Sequence, residues 1–336
     1  MTTRLFVSDN SAAVHPHVWE AMRAADAPDM PYDGDALSQG LDARFSALFR
    51  RECAVVWAGT GTAANALALA CLTPPYGGIV CHYDAHVEAD EGGAPEFFTH
   101  GAKLMLADGE GAKVTPETVV AVIDPIRDDV HRVQPVTLAL TQATEQGRVY
   151  TPDELAALTD FARGRGLRVH LDGARFANAV AHLGCSPAEA AAVQGIDSLS
   201  FGFIKNGGMG GEALLLFDTA LADQCRRRHK RAGQLQSKGR YMAAQLHAML
   251  DDDIWLENGR AANRAARIVA EAAPERLLDQ VDANEVFMRL SAAERESLRS
   301  QGFAFYDWSD TSARFVTAWN TSAEDADALA KALAAL

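Results

Sequence analysis

At 336 residues the chain is too long for one small domain and suits a large domain with a smaller companion. Hydrophobic residues at 48% and charged residues at 23% match ordinary globular usage. With 31 Lys and Arg against 45 Asp and Glu the net charge is −14, which repels nucleic acid and anionic membrane and argues against both as partners.

The five cysteines, Cys53, Cys71, Cys81, Cys185 and Cys225, are scattered, with no CxxC pair and no Cys/His cluster. Neither a disulfide framework nor a zinc site is indicated, and no metal is expected. This usage fits a reducing cytoplasm. The opening MTTRLFVSDN lacks the apolar core of a signal peptide. No apolar run approaches the ~18–20 residues of a membrane span. The chain shows no internal repeat.

In chain order, VHPHVWEAMRAAD reads as a helix, CAVVWAG as a buried strand ending in glycine, and TAANALALACL as the helix that follows. GGIVCHYDAH, AKLMLAD and VTLALT read as further strands. PDELAALTDFARGRG is a helix opened by Thr151-Pro152 and closed by glycine. LRVHLDGA and GIDSLSFGF are strands again. Strand–helix alternation of this kind predicts an α/β fold, a largely parallel sheet covered by helices. A long helical stretch, RRRHKRAGQLQSKGRYMAAQLHAML, then leads to a helix (ENGRAANRAARIVAEAA), strands in NEVFMRL, FAFYDW and ARFVTAW, and a last helix. That order predicts a small C-terminal α+β domain over 251–336 beside a large domain over 1–250 that includes the N-terminal segment.

Five places carry candidate chemistry. In WAGTGTAANALALA a strand stops at Gly59 and a helix begins near Thr62. Thr60, Gly61 and Thr62 read either as a phosphate cradle at a helix N-terminus or as a tight turn with a threonine cap. The string is neither a Walker loop nor a dinucleotide fingerprint, because Ala64 stands where GxGxxG needs glycine. In VHLDGARF a strand delivers Asp172 to its C-terminal end, where it can hold a protonated ring nitrogen, hold a metal or cap the next helix. In SLSFGFIKNGGMGG an apolar strand leads to Lys205, 33 residues after Asp172, so both belong on one sheet edge. Lys205 reads as a nucleophile that must shed its proton, or as a snorkelling surface lysine. His86 and His131 flank strands, with no spacing for a catalytic metal. Arg314 begins a strand and can grip a carboxylate or lie on the surface.

The order of these pieces resembles that of the fold-type I enzymes that use pyridoxal phosphate. The strings SDN (8–10), YDGD (32–35), GTGTAAN (59–65), HVEADEGGAP (86–95), TQATEQGRVYTPDEL (141–155), HLDGARFANAV (170–180), SFGFIKNGGMGGEA (200–213) and RFVTAWNTS (314–322) are similar to those of the L-threonine aldolase family, low-specificity type, in the aromatic amino acid β-eliminating lyase/threonine aldolase group. The resemblance implies a mainly parallel seven-stranded sheet and pyridoxal 5′-phosphate as cofactor. Lys205 would bind the cofactor covalently, Asp172 would pair with its ring nitrogen, His86 would stack on the ring, and Thr60, Gly61 and Thr62 would cradle the phosphate. Ser8, Arg175 and Arg314 would converge on the substrate carboxylate, Arg175 also bordering the cofactor. His131 or His86 would serve as base at the β-hydroxyl. Asp90 would shape the aldehyde side or orient His86. Lys230 and Arg231, in the basic run RRRHKR, would reach a neighbouring subunit's site in a homo-oligomer, a dimer of dimers. The implied activity is retro-aldol cleavage of L-β-hydroxy-α-amino acids. A β-eliminating lyase or dehydratase, an aminotransferase, a racemase and a non-catalytic phosphate-ligand binder are the alternatives.

Overall fold

The computed structural model describes residues 3–336. Among these, twelve strands form: β1 (Arg4–Leu5), β2 (Ala54–Ala58), β3 (Gly77–His82), β4 (Lys103–Ala107), β5 (Gln134–Thr141), β6 (Arg168–Gly173), β7 (Ser198–Phe201), β8 (Glu212–Leu216), β9 (Glu285–Arg289), β10 (Phe303–Ala304), β11 (Tyr306–Ser309) and β12 (Ser312–Val316).

Seven of them make the main sheet, in the order β2-β8-β7-β6-β5-β3-β4. The pairs from β4 through β3, β5 and β6 to β7 are parallel, and only β8 runs against its neighbours β7 and β2. Strands such as AVVWA and SLSF are buried along their whole length because helices cover both faces. The predicted alternation was therefore right in kind, but β8 had not been read as a strand. Its run EALLL follows the glycine-rich loop with no period to separate strand from helix. The loop turns the chain back through Gly207 (φ 114°) and Gly211 (φ 128°), a region open mainly to glycine.

β9, β11 and β12 form a separate antiparallel sheet in the order β11-β12-β9. Its core joins Val286, Phe315 and Leu329 to Phe6 from the N-terminus. The N-terminal segment, expected with the large domain, instead pairs β1 with β10, in parallel. Alternation is too short there for the sequence to have said which sheet Arg4 and Leu5 would join. The boundary is also no linker. The helix Ile254–Glu271 places Ile254 and Trp255 in the large core and Ala265, Ala266 and Val269 in the small one.

That helix lies close against the helix Phe176–Leu183. At Gly259 an added Cβ would stand 2.6 Å from the Ala177 carbonyl oxygen. Asn178 and Asn263 tie the same contact, with two hydrogen bonds of 2.9 Å. Gly259→Ala is therefore expected to push the helices apart and cost about 1–3 kcal/mol, as overpacking does. Urea unfolding of the variant beside the parent checks this.

Candidate active site

The parallel register sets Thr141 opposite Asp172 and Asp172 opposite Ser200, so three strands end level. Ligands of open α/β sheets bind at this carboxyl edge. Here a cavity of about 340 Å³ opens, with Thr60, Gly61, Thr62, His86, Asp172, Arg175 and Lys205 all in its wall. The structure thus brings together seven residues named from sequence.

The helix Gly61–Leu72 presents its N-terminus to the cavity, capped by the Thr60 hydroxyl, which accepts from the Ala63 N–H at 3.1 Å. The cap reading is met by Thr60, and the N–H groups of Gly61 and Thr62 have no partner among the described residues, which leaves them able to receive an anion. Asp172 is buried and caps no helix. Its Oδ1 accepts from the Ala174 N–H at 2.9 Å and its Oδ2 from the Asn65 amide at 2.7 Å. Lys205 lies in the turn four residues beyond β7, which ends at Phe201. Among the described residues its amine has no hydrogen-bond or ion-pair partner.

Asn65, one turn into its helix, was quoted in a matching string but not singled out. It is fully buried, and every hydrogen-bonding position it has is used. Its amide donates to Asp172 and, at 2.8 Å, to Glu91; its oxygen accepts from Ser200 at 2.7 Å and from His170 Nε2 at 3.0 Å. Because Asn65 offers oxygen to His170, that ring carries its proton on Nε2 and accepts from the Ser198 hydroxyl through Nδ1. Burial pushes the His170 pKa down to about 4, so the ring is neutral.

His86 is gripped at two points. Its Nδ1 lies 2.9 Å from Glu91, and its backbone N–H donates to Glu145 at 2.8 Å. The hydrogen bond to Glu91 raises the His86 pKa above the ordinary value, against the opposing effect of burial. Glu91 is itself raised, first by burial and then less by the nearby Asp172 charge. The orienting role suggested for Asp90 therefore belongs to Glu91: Asp90 is exposed at the end of the short helix His86–Ala89. Glu145 and Glu212 also line the cavity, and burial pushes each up to about 7. Their roles had no signal in the sequence: Glu145 follows β5 in a loop, where carboxylates are usually solvated, and Glu212 opens β8, whose run has no strand period to mark it.

Other expectations need correction. Arg175 reaches the cavity wall, but its Nε and a terminal nitrogen bind Asp9 at 2.8 and 3.0 Å, and its other terminal nitrogen lies 3.1 Å from Glu285. Its fork is already filled by protein carboxylates. Arg314 stands behind Glu285, 3.7 Å away, and flanks the rings of Tyr306 and Trp308. Ser8 caps the short turn Asp9–Ser11 by accepting from the Asn10 N–H, and it is Asn10 that lines the cavity. His131 is exposed before the first residue of β5, at the opposite edge of the sheet. The strand between spans roughly 25 Å, so His131 cannot serve the cavity of its own chain. Lys230 and Arg231 are exposed on the last turn of the helix Ala222–Arg231, outside the cavity, with Lys230 5.0 Å from the Tyr32 ring.

The residues present fit the implied cofactor. A helix N-terminus with two hydroxyls suits a phosphate, a buried carboxylate suits a protonated ring nitrogen, an imidazole borders the same space, and an unpaired lysine faces it. A cavity near 340 Å³ is of the size that small-molecule sites have.

Comparison with known proteins agrees. Residues 6–293 match the family model described as Beta-eliminating lyase. A low specificity L-threonine aldolase of Pseudomonas aeruginosa is 44% identical over 98% of this chain and 96% of its own. One of Escherichia coli is 28% identical over 83% of this chain and 82% of its own. A solved threonine aldolase of Leishmania major superposes with a TM-score of 0.92 at 25% identity, covering 98% of both chains. By these matches the chain belongs to the low-specificity L-threonine aldolase family of the beta-eliminating lyases.

Proposed function

We propose that this protein cleaves L-β-hydroxy-α-amino acids to glycine and an aldehyde, with L-threonine, L-allo-threonine and L-phenylserine as substrates. The observation that carries the reading is the pairing of unpartnered Lys205 with buried, doubly hydrogen-bonded Asp172 in one cavity, beside a helix N-terminus. Names borne by relatives on both the sequence and the structure side support it.

Bound pyridoxal phosphate supplies an electron sink for the cleaved bond. The protein's part is to hold and orient. Lys205 would hold the cofactor covalently. Asp172, kept in place by Asn65 and the Ala174 N–H, would retain the ring nitrogen's proton. Thr60, Gly61 and Thr62 would hold the phosphate, and His86 would border the ring. Arg314, whose Nε is without a partner among the described residues, is the arginine left to take the substrate carboxylate, while Arg175, held by Asp9 and Glu285, braces the cavity wall. Fixing the carboxylate would orient the substituents at the substrate Cα and so select the bond that breaks.

The protein acts in the cytoplasm as a homo-oligomer, a dimer of dimers, in which exposed Lys230 and Arg231 complete a neighbour's site. With L-threonine the expected products are glycine and acetaldehyde. Appearance of 2-oxobutanoate and ammonia would instead make the enzyme a dehydratase. A panel with L-allo-threonine, L-β-phenylserine and the D-isomers tests the class: inactivity toward every L-isomer overturns it.

A further inference from the structure

Retro-aldol cleavage needs a base at the β-hydroxyl, and the histidines fill that place poorly. His131 lies at the far edge of the sheet. His86 has its Nδ1 committed to Glu91, and that contact favours the protonated ring, which is no base.

We propose, resting on the aldolase reading above, that Glu145 is the base that takes the substrate's β-hydroxyl proton. Glu145 follows β5 by four residues, at the edge where Thr141 faces Asp172, and it lines the cavity. One oxygen, Oε1, is anchored by the His86 N–H at 2.8 Å. The other, Oε2, is buried and has no hydrogen-bond partner in the chain. A buried carboxylate oxygen left unpaired is costly, and a substrate hydroxyl would satisfy it. The anchor also ties Glu145 to His86, the residue expected to border the ring. Glu212, the other raised carboxyl, does not compete: its Oε2 accepts from the Phe203 and Ile204 N–H groups and so braces that loop.

The surroundings tune the group. Burial first, and then the Asp172 charge, push the Glu145 pKa up to about 7, while the His86 N–H and the His86 charge act against them. Arg175, Tyr150 and Cys81 also feel its charge, and Lys205 and Glu212 share the cavity. A base with a pKa near working pH is both available and strong enough to matter.

In the step, the O–H proton passes to Glu145, the oxygen's pair becomes the aldehyde C=O, and the Cα–Cβ bond breaks. Its electron pair stays with the glycine fragment, whose Cα then takes one proton. Glu145 returns its own proton to solvent, so the balance closes as threonine to glycine plus acetaldehyde with no oxidant or reductant.

The experiment compares the cofactor-loaded parent with Glu145→Gln in L-threonine cleavage across pH 5.5–9, and in exchange of the glycine α-hydrogen with D2O followed by NMR. Exchange makes and breaks the Cα–H bond without needing a β-hydroxyl base. Expected are a fall in kcat of about 10²–10⁴ for cleavage, loss of the rising limb near neutral pH, and α-hydrogen exchange and cofactor absorbance within a few-fold of the parent. Added formate should restore part of the cleavage in Glu145→Ala. Cleavage by Glu145→Gln within threefold of the parent, or equal loss of cleavage and exchange, overturns the proposal. So does Glu145→Ala that holds cofactor yet gains nothing from formate. If the parent itself fails to cleave L-threonine, the aldolase reading falls instead.

Discussion

Lys205→Ala is expected to lower threonine cleavage on the order of 10³-fold or more, the scale set by removing a covalent nucleophile. The reason is positional. The lysine is carried past β7 by a loop that Asn206 and Asn258 pin to the helix Ile254–Glu271, through bonds of 3.0 and 2.7 Å. Among the described residues no carboxylate pairs with its amine, so the group is poised for a carbonyl rather than spent on a salt bridge. The variant should still take up the cofactor without a covalent bond, since Asp172 and the Gly61–Leu72 helix N-terminus remain. Borohydride reduction of the parent followed by peptide mapping should find the adduct on the Lys205 peptide. An adduct on any other lysine refutes the assignment.

The largest stability effect is expected at Arg175. Its guanidinium joins the N-terminal turn, the main sheet edge and the small domain through Asp9 and Glu285, both buried. The two carboxylates share this arginine unequally. Asp9 is buried, which by itself raises its pKa, but the Arg175 charge and hydrogen bonds, the Lys205 charge and a bond from Asn284 outweigh burial and hold it below the ordinary range. Glu285 receives no hydrogen bond on either oxygen, so burial prevails and its pKa is raised.

Arg175→Ala strands two buried carboxylates and should cost about 3–5 kcal/mol in unfolding free energy. The sign with pH follows. In the parent, the depressed Asp9 contributes stability above its unfolded pKa near 3.8 that is lost as pH falls through the folded value. In the variant both groups ionise only at a cost, so the deficit should be larger at pH 8 than at pH 5. Adding Glu285→Gln should recover part of it at pH 8. Urea unfolding at the two pH values measures all three effects, and a deficit independent of pH would show that lost packing, not stranded charge, is the cause.

Particular residues show how much the sequence disclosed. Asp172 and Lys205 were legible because each follows a short apolar run into small residues, and a parallel sheet sends such strand ends to one edge. Thr60–Thr62 were legible because a strand–glycine–helix string has one usual geometry. Asn65, Glu91, Glu145 and Glu212 were not. Each is an ordinary polar residue in its local window, and its role comes from partners up to 135 positions away, as for Asn65 and Ser200. His131 shows the reverse case. Its place just before a strand made it a candidate, yet within one chain it precedes the first residue of β5, at the end opposite the cavity.

By itself, then, the sequence determined the α/β alternation, the Gly/Thr turn at a helix N-terminus, the Asp172–Lys205 pair and, through its ordered strings, the family. These rest on local propensity and on strand direction, which short segments encode. Only the tertiary structure decided that β8 runs antiparallel, that the N-terminus joins the small domain, that Arg175 is filled by Asp9 and Glu285, and that Glu145 lines the cavity with one oxygen left unpaired. The physical reason is that burial, and with it charge pairing and pKa, belongs to the packed assembly of distant segments and to no segment alone.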